Sequence, residues 1–197
     1  MNRHPFDVLS AIVTAFWLIF IVYWAISAVG VKKHVRGKGS WRGWGLARLG
    51  VLIILIVIYK LPIFSAFWDF AYGLSFFHNG AIRITGTILT AVGIAFAVWA
   101  RRHLGRNWSG RPAIKIDHEL VTSGPYRFVR HPIYTGVLLA LFGSGLANGP
   151  IVMILFVIFA LIFSWRIRIE ESYMMKLFPD QYPAYRGRTK ALIPVVW

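Results

Sequence analysis

The sequence predicts an all-α, polytopic membrane protein with about five transmembrane helices. Hydrophobic residues fill 57% of its 197 positions and the mean hydropathy is +0.61, whereas about 45–50% apolar residues is typical of soluble domains. These residues form long runs with few charges, which is the pattern of helices that cross a bilayer. Because the basic residues lie between the runs, the net charge of +15 indicates anionic lipid headgroups as partners and excludes a nucleic-acid surface.

The first two predicted spans cover residues 8–31 and 46–68. Each has at least the roughly 20 residues that cross a bilayer. The first has no evident small-residue cleavage site, so we expect it to be retained as a span. The second contains Lys60, whose long side chain we expect to reach the interface and not to serve chemistry.

The third predicted span, residues 81–100, carries a stripe of small residues at helical spacing. The stripe consists of Gly86, Thr90, Gly93 and Ala97. Such stripes let two helices approach closely in a membrane, so they predict helix packing and not a ligand site.

The fourth and fifth predicted spans, 133–147 and 151–165, are short and are separated only by Asn148-Gly149-Pro150. We therefore expect a tight helical hairpin. After Trp165 the sequence becomes amphipathic and ends in a short helix around 182–188, which predicts a surface segment that folds back onto the membrane face.

The distribution of Lys and Arg predicts the orientation. Six lie in 32–48, seven in 101–130 and six from Arg166 onwards, whereas none lies in 68–80 or 148–150. The positive-inside rule then places the N-terminus outside and the C-terminus in the cytoplasm of a multi-pass cell-membrane protein. The absence of cysteine excludes zinc–thiolate sites and cysteine nucleophiles, and no metal site is expected.

Side chains that could bind a ligand or take part in a reaction are concentrated in residues 124–136. This stretch combines two arginines, a histidine, two tyrosines and two prolines. Gly124-Pro125 predicts a turn, and Pro132 allows a helix to begin at its own position. His131 and Tyr134 then lie at a helix N-terminus, where free N–H groups and the helix dipole favour an anionic group.

An ordered series of motifs extends from Leu104 to Pro194. It comprises Leu104-Gly105-x-x-Trp108-Ser109, His118-x-Leu120-Val121-Thr122-Ser123-Gly124-x-Tyr126, Arg130-His131-Pro132-x-Tyr134, Glu170-Glu171, Tyr182-x-x-Tyr185 and Ile193-Pro194. The series resembles the isoprenylcysteine carboxyl methyltransferase family of integral membrane enzymes, which is related to the phospholipid methyltransferases. The resemblance covers about half of a single membrane domain, residues 1–197, with its cofactor and catalytic core at 104–194.

The resemblance implies S-adenosylmethionine as cofactor, a lipophilic or prenylated acceptor, and a cytoplasmic C-terminal helical segment that completes the cofactor pocket. It implies these cofactor-binding residues: His118, Glu119, Leu120, Val121, Tyr126, His131, Pro132, Ile133, Tyr134 and Glu170. Glu119 and Ile133 occupy variable positions, so we expect them to contribute backbone atoms. Arg111 stands where the eukaryotic enzymes have a glutamine that contacts the cofactor.

Arg166 and Glu170 are the predicted catalytic pair. They are four residues apart, which places them on one face of the helix that leaves the fifth span. In the family the corresponding arginine contacts the substrate and the glutamate contacts the cofactor. A carboxylate acceptor needs only a cation to hold it, and an arginine can do so with two hydrogen bonds.

Three other functions remain open from the sequence. A phospholipid headgroup amine would be a different acceptor, and it would need a base such as Glu171. A sterol-reductase-like enzyme would bind NADPH, although those reductases are considerably longer. A non-enzymatic lipid-binding protein or scaffold would not need a histidine, an arginine and a glutamate in one cytoplasmic pocket.

Overall fold

Helices dominate the structure, a computed structural model that describes residues 8–27, 73, 77, 79–105 and 119–194. The main helices are α1 (Val8–Ser27), α2 (Gly80–Leu104), α3 (Pro132–Asn148), α4 (Pro150–Leu177) and α5 (Tyr182–Arg188), with a 3₁₀ turn at Gly124–Arg127. The described part of the chain contains no strand, and Val129 and Lys190 form an isolated parallel bridge. The all-α prediction is therefore confirmed for these residues.

Three of the helices are long and apolar enough to cross a membrane, namely α1, α2 and α4. The fourth predicted span corresponds to α3, an apolar helix of 17 residues. The predicted second span, 46–68, lies outside the described residues, as do positions 28–31 of the first. The fifth predicted span and the amphipathic segment after it form one continuous helix, α4.

Local sequence signals explain where the helices begin and end. The side chain of Asn79 caps α2 by accepting hydrogen bonds from the backbone N–H groups of Ala81 (3.0 Å) and Ile82 (3.2 Å). Pro132 and Pro150 occupy the first positions of α3 and α4, where a missing N–H costs nothing. Gly149 joins these two helices with a φ of 97°, a left-handed conformation that favours glycine. The predicted hairpin is therefore present.

The small-residue stripe of α2 packs directly on α3. A Cβ atom at Gly93 would lie 2.4 Å from the backbone nitrogen of Ala140, and one at Gly86 would lie 2.5 Å from the carbonyl oxygen of Gly143. Thr90 lies between these contacts, and its hydroxyl is 3.1 Å from that of Ser144. The predicted packing role of the stripe is confirmed, and we call this contact the α2–α3 seam.

The helix ends fall at two opposite ends of the bundle. Arg101, near the end of α2, donates to the backbone carbonyl of Ser27, the last residue of α1. At the other end, Arg83 donates to the carbonyl of Ala147, beside the turn between α3 and α4. We call the first the motif end, because α3 also begins there, and the second the hairpin end.

Candidate functional site

The site begins with the turn that precedes α3. Gly124 has a φ of 58°, and a Cβ atom there would lie 2.6 Å from the ring of His103. His103 in turn approaches the hydroxyl of Ser123 to 2.9 Å and stacks on the ring of Tyr126. The left-handed backbone conformation favours glycine, and the contacts of His103 hold the turn against the end of α2.

A stack of three rings lines the start of α3. His131 is the residue that caps α3, and its ring lies parallel to that of Tyr134, with centroids 5.6 Å apart. The other neighbour of Tyr134 is Phe163 of α4, at 4.3 Å between centroids. The stack therefore joins the Arg-His-Pro motif to the fifth predicted span.

Helix α4 brings Arg166 and Glu170 to these rings. The Arg166 Nε donates to Glu170 Oε1 at 2.8 Å, and the Tyr134 hydroxyl donates to the same oxygen at 2.6 Å. The second carboxylate oxygen of Glu170 lies 3.7 Å from His131 Nδ1. The Glu170 side chain is 22% exposed, so the carboxylate is oriented by its partners and still reachable by a ligand.

Glu171 lies deeper and is surrounded by cations. Its residue is 7% exposed. Arg130 Nε approaches its Oε1 to 2.7 Å and Arg186 Nε approaches its Oε2 to 3.3 Å. His131 Nε2 is 3.4 Å from Oε1. The two consecutive glutamates thus meet opposite sides of one imidazole ring.

The C-terminal tail, residues 189–192, pairs with the motif through its backbone carbonyls. Lys190 and Ala191 accept hydrogen bonds from the N–H groups of Arg130 (2.9 Å) and His131 (3.0 Å). The hydroxyl of Thr135 donates to the carbonyl of Leu192 at 2.7 Å. The tail is therefore part of the scaffold that holds the motif.

Tyr185 of α5 ties the turn to the tail. Its hydroxyl donates to the carbonyl oxygen of Tyr126 at 2.6 Å. Burial raises the pKa of Tyr185 to about 12 and also raises the pKas of Tyr126 and Tyr182. These phenols stay neutral at physiological pH, and Tyr185 and Tyr182 pack the C-terminal segment on the motif end.

The structure brings four of the predicted site residues into direct contact: His131, Tyr134, Arg166 and Glu170. Pro132 and Ile133 form the first turn of α3, and Tyr126 is buried in the neighbouring turn. Glu119, Leu120 and Val121 lie in the irregular segment that leads into that turn. His118 and Arg111 lie outside the described residues.

Sequence reasoning missed several residues of this cluster. Arg130 stood in the quoted motif without a role, and Arg186 and Phe163 were not singled out at all. Phe163 lies one helical turn before Arg166, so helical spacing from the predicted pair could have found it. Nothing in the sequence indicated the tail carbonyls, because every residue has one.

One known protein family matches the segment that contains most of this cluster. A profile of the isoprenylcysteine carboxyl methyltransferase family matches residues 86–176, which include the α2–α3 seam, the motif and both glutamates. The matched segment, somewhat less than half of the chain, is similar to that family. The resemblance drawn from the ordered motifs is thereby confirmed.

Known proteins that are similar to this chain differ in how much of it they match. The protein-S-isoprenylcysteine O-methyltransferase of Schizosaccharomyces pombe is 39% identical over 84 residues, which are 41% of this chain and 35% of that protein. The cobalt-zinc-cadmium resistance protein CzcN of Cupriavidus metallidurans is 33% identical over 108 residues, or 54% and 48%. This chain thus spans about a third to a half of these relatives.

The solved structure of a eukaryotic intramembrane Ras methyltransferase, isoprenylcysteine carboxyl methyltransferase, has a similar fold. It superposes with a TM-score of 0.61 at 20% sequence identity, over 95% of this chain and 65% of that one. At this identity the likeness establishes the fold. Together with the spanning helices, it identifies a multi-pass membrane protein with the helical architecture of that enzyme.

Proposed function

We propose that this chain is a membrane methyltransferase that uses S-adenosylmethionine to methylate a lipophilic acceptor. The best-supported acceptor is a carboxylate of the prenylcysteine type. The match to the family model supports the reaction class, and the name of the Schizosaccharomyces pombe relative supports the acceptor. One arrangement carries the proposal: Glu170 accepts hydrogen bonds from both Tyr134 and Arg166 at the motif end.

The groups at this site fit the cofactor. When bound, S-adenosylmethionine supplies a methyl group on a cationic sulfur and leaves as a neutral thioether. A partly exposed carboxylate such as that of Glu170 attracts a cationic ligand, and an aromatic face such as that of His131 favours cations and flat rings. We propose that the pocket is completed by His118, Glu119, Leu120, Val121, Tyr126, Pro132 and Ile133.

Arg166 is the proposed holder of the acceptor. It lies at the end of the apolar part of α4, where a lipophilic molecule in the bilayer could present a polar group. A guanidinium binds a carboxylate through a pair of N–H groups. Methylation of a carboxylate moves no proton, so the protein needs to align the acceptor and exclude water but needs no general base.

The state of Glu171 weighs against an amine acceptor. A headgroup amine must lose a proton before or during transfer, which requires a base. Glu171, the base that the sequence suggested, is buried between Arg130 and Arg186. Two neighbouring cations stabilise the ionised carboxylate and weaken it as a proton acceptor. These contacts favour a carboxylate acceptor.

We also propose that the motif end faces the cytoplasm, with the N-terminus outside. Basic side chains are concentrated there: Arg101, Arg102, Arg130, Arg166 and Arg186. The chain has no cysteine, so single cysteines can be introduced for labelling of right-side-out vesicles. An impermeant maleimide is expected to label Asn79→Cys and to leave Ser172→Cys unlabelled, and the reverse pattern would contradict this orientation.

The cofactor is tested by calorimetric titration of purified protein with S-adenosylhomocysteine, and with NADPH in parallel. Wild type is expected to bind the homocysteine compound. His131→Ala and Glu170→Ala should each weaken binding about tenfold or more, because each removes a contact to a charged group. Asp180→Asn, which changes an exposed carboxylate between α4 and α5, is the matched control.

The acceptor is tested by transfer of a labelled methyl group to an S-farnesylcysteine analogue or to phosphatidylethanolamine. Transfer to the farnesylcysteine carboxylate is expected, and Arg166→Gln should raise its KM. In the titration, folded protein that binds neither S-adenosylhomocysteine nor NADPH would contradict the methyltransferase proposal. Binding of NADPH alone would favour a reductase. Transfer to the amine alone would replace the proposed acceptor.

A further inference from the structure

Glu171 is a buried carboxylate that contacts two arginines. Arg130 and Arg186 contact its two carboxylate oxygens separately, at 2.7 and 3.3 Å. The Arg130 side chain is itself only 10% exposed. An ion pair with so little exposure is costly to break, because removal of either partner leaves a buried charge.

The same carboxylate faces the ring of His131. Oxygen Oε1 of Glu171, which Arg130 contacts, also lies 3.4 Å from His131 Nε2. On the other side of the ring, Nδ1 faces Glu170, a proposed cofactor-binding residue. The position of the imidazole between the two glutamates therefore depends on where Glu171 is held.

Arg130 connects this arrangement to the C-terminal tail. Its Nη1 donates to the carbonyl oxygen of Arg186 at 3.2 Å and also to that of Thr189. One guanidinium thus bonds the Glu171 carboxylate, a carbonyl near the end of α5 and a carbonyl of the tail. A lysine has no planar fork and could not replace this geometry.

We propose that Glu171, fixed by Arg130 and Arg186, is a positioning residue that sets the orientation of the His131 ring. Its role in catalysis rests on the proposed function, because His131 is a cofactor-binding residue only if that function holds. Its role in orienting the ring does not depend on the cofactor. Glu171 acts on the reaction through His131 and not as an acid or base.

Histidine ring nitrogens give the direct test. The protein is labelled with ¹⁵N-histidine in lipid nanodiscs without any cofactor, and the His131 signals among the six histidines are assigned by loss in His131→Gln. Glu171→Gln keeps the shape of the side chain but removes its charge. The Nε2 signal of His131 is expected to shift while the signals of histidines distant from the site stay in place.

The functional consequence is measured on the same variants. Glu171→Gln is expected to raise the KM for S-adenosylmethionine and the Kd for S-adenosylhomocysteine about tenfold, the usual scale for a lost charged hydrogen bond. Its kcat should change much less. Asp180→Asn serves as the matched control and should alter neither the His131 signals nor the KM.

Arg186→Gln provides a milder variant, because the Arg186 side chain is 54% exposed. It removes one of the two arginines that contact Glu171. The His131 signal should shift in the direction expected for Glu171→Gln, by a smaller amount. This variant keeps the test usable if Glu171→Gln does not fold. An unchanged His131 signal in the folded variants would overturn the inference. Because that signal is read without cofactor, failure of the methyltransferase proposal would be recognised separately, by absent binding in wild type.

Discussion

The α2–α3 seam and the motif end are built on opposite principles. In the seam, Gly93 and Gly136 let two backbones approach so closely that even a methyl group would collide. At the motif end, by contrast, Arg130 and Glu171 fill the space between elements with paired charges. Close contact of small residues gives a rigid membrane core, and the ionic cluster gives a polar pocket at its rim.

This difference separates stability from function. The seam contains the buried hydroxyls of Thr90 and Ser144, which bond to each other and to nearby helix carbonyls. The motif end contains charged groups that also face a partly exposed carboxylate, Glu170. We therefore expect substitutions in the seam to act on folding and substitutions at the motif end to act on binding as well.

The largest effect is expected from Gly93→Ala. The new methyl group would lie 2.4 Å from the backbone nitrogen of Ala140, and a backbone cannot move aside as a side chain can. The expected loss is about 3 kcal/mol in the free energy of unfolding. Denaturation with SDS, followed by the fluorescence of the nine tryptophans, measures it. Gly187→Ala has open space around it and is the control. Equal stability of both variants would contradict the close packing of α2 on α3 at Gly93.

Arg130→Gln is expected to have an intermediate effect on stability. Glu171 would lose its shortest ion pair but keep its other two partners, and the carbonyls of Arg186 and Thr189 would lose a donor. A loss of about 2 kcal/mol in the free energy of unfolding is expected, the scale of a hydrogen bond to a charged group. Trypsin should also cleave the chain faster after Arg188, where the tail begins. Arg168→Gln, an exposed position on α4, should leave both unchanged. If trypsin cleaved the tail of Arg130→Gln no faster than that of the wild type, Arg130 would not be what holds the tail in place.

The smallest effect is expected from Thr90→Val. The substitution keeps the shape of the side chain but removes the hydroxyl that bonds to the carbonyl of Gly86 and meets Ser144. Hydrogen bonds between membrane helices contribute about 0.6 kcal/mol on average, so a loss of that size is expected with unchanged cofactor binding. Thr85→Val, exposed on the same helix, is the control. A loss above that of Arg130→Gln would reverse the ranking.

Local signals allowed much of the fold to be predicted. Pro132 marked the start of α3, Gly149 and Pro150 marked the hairpin, and four-residue spacing placed Arg166 and Glu170 on one face. These features depend on neighbouring residues alone. The second predicted span, 46–68, stays a prediction because it lies outside the described residues.

The tail contacts could not be predicted from the sequence. Thr135 bonds to a carbonyl 57 residues away, and Arg130 to one 59 residues away. Backbone acceptors have no residue type, and pairing across such distances leaves no periodic pattern in the sequence. For the same reason Glu171 was read as a possible base: its carboxylate was evident, but the two arginines that neutralise it were not.

The most direct measurement is hydrogen exchange of the protein in nanodiscs with and without S-adenosylhomocysteine. We expect slower exchange in two segments that are distant in sequence, 119–135 and 166–192, and no change in the seam helices at 86–97 and 136–147. This pattern would show that the motif, the glutamates and the tail form one pocket. Protection confined to one segment, or present only in the seam, would contradict it.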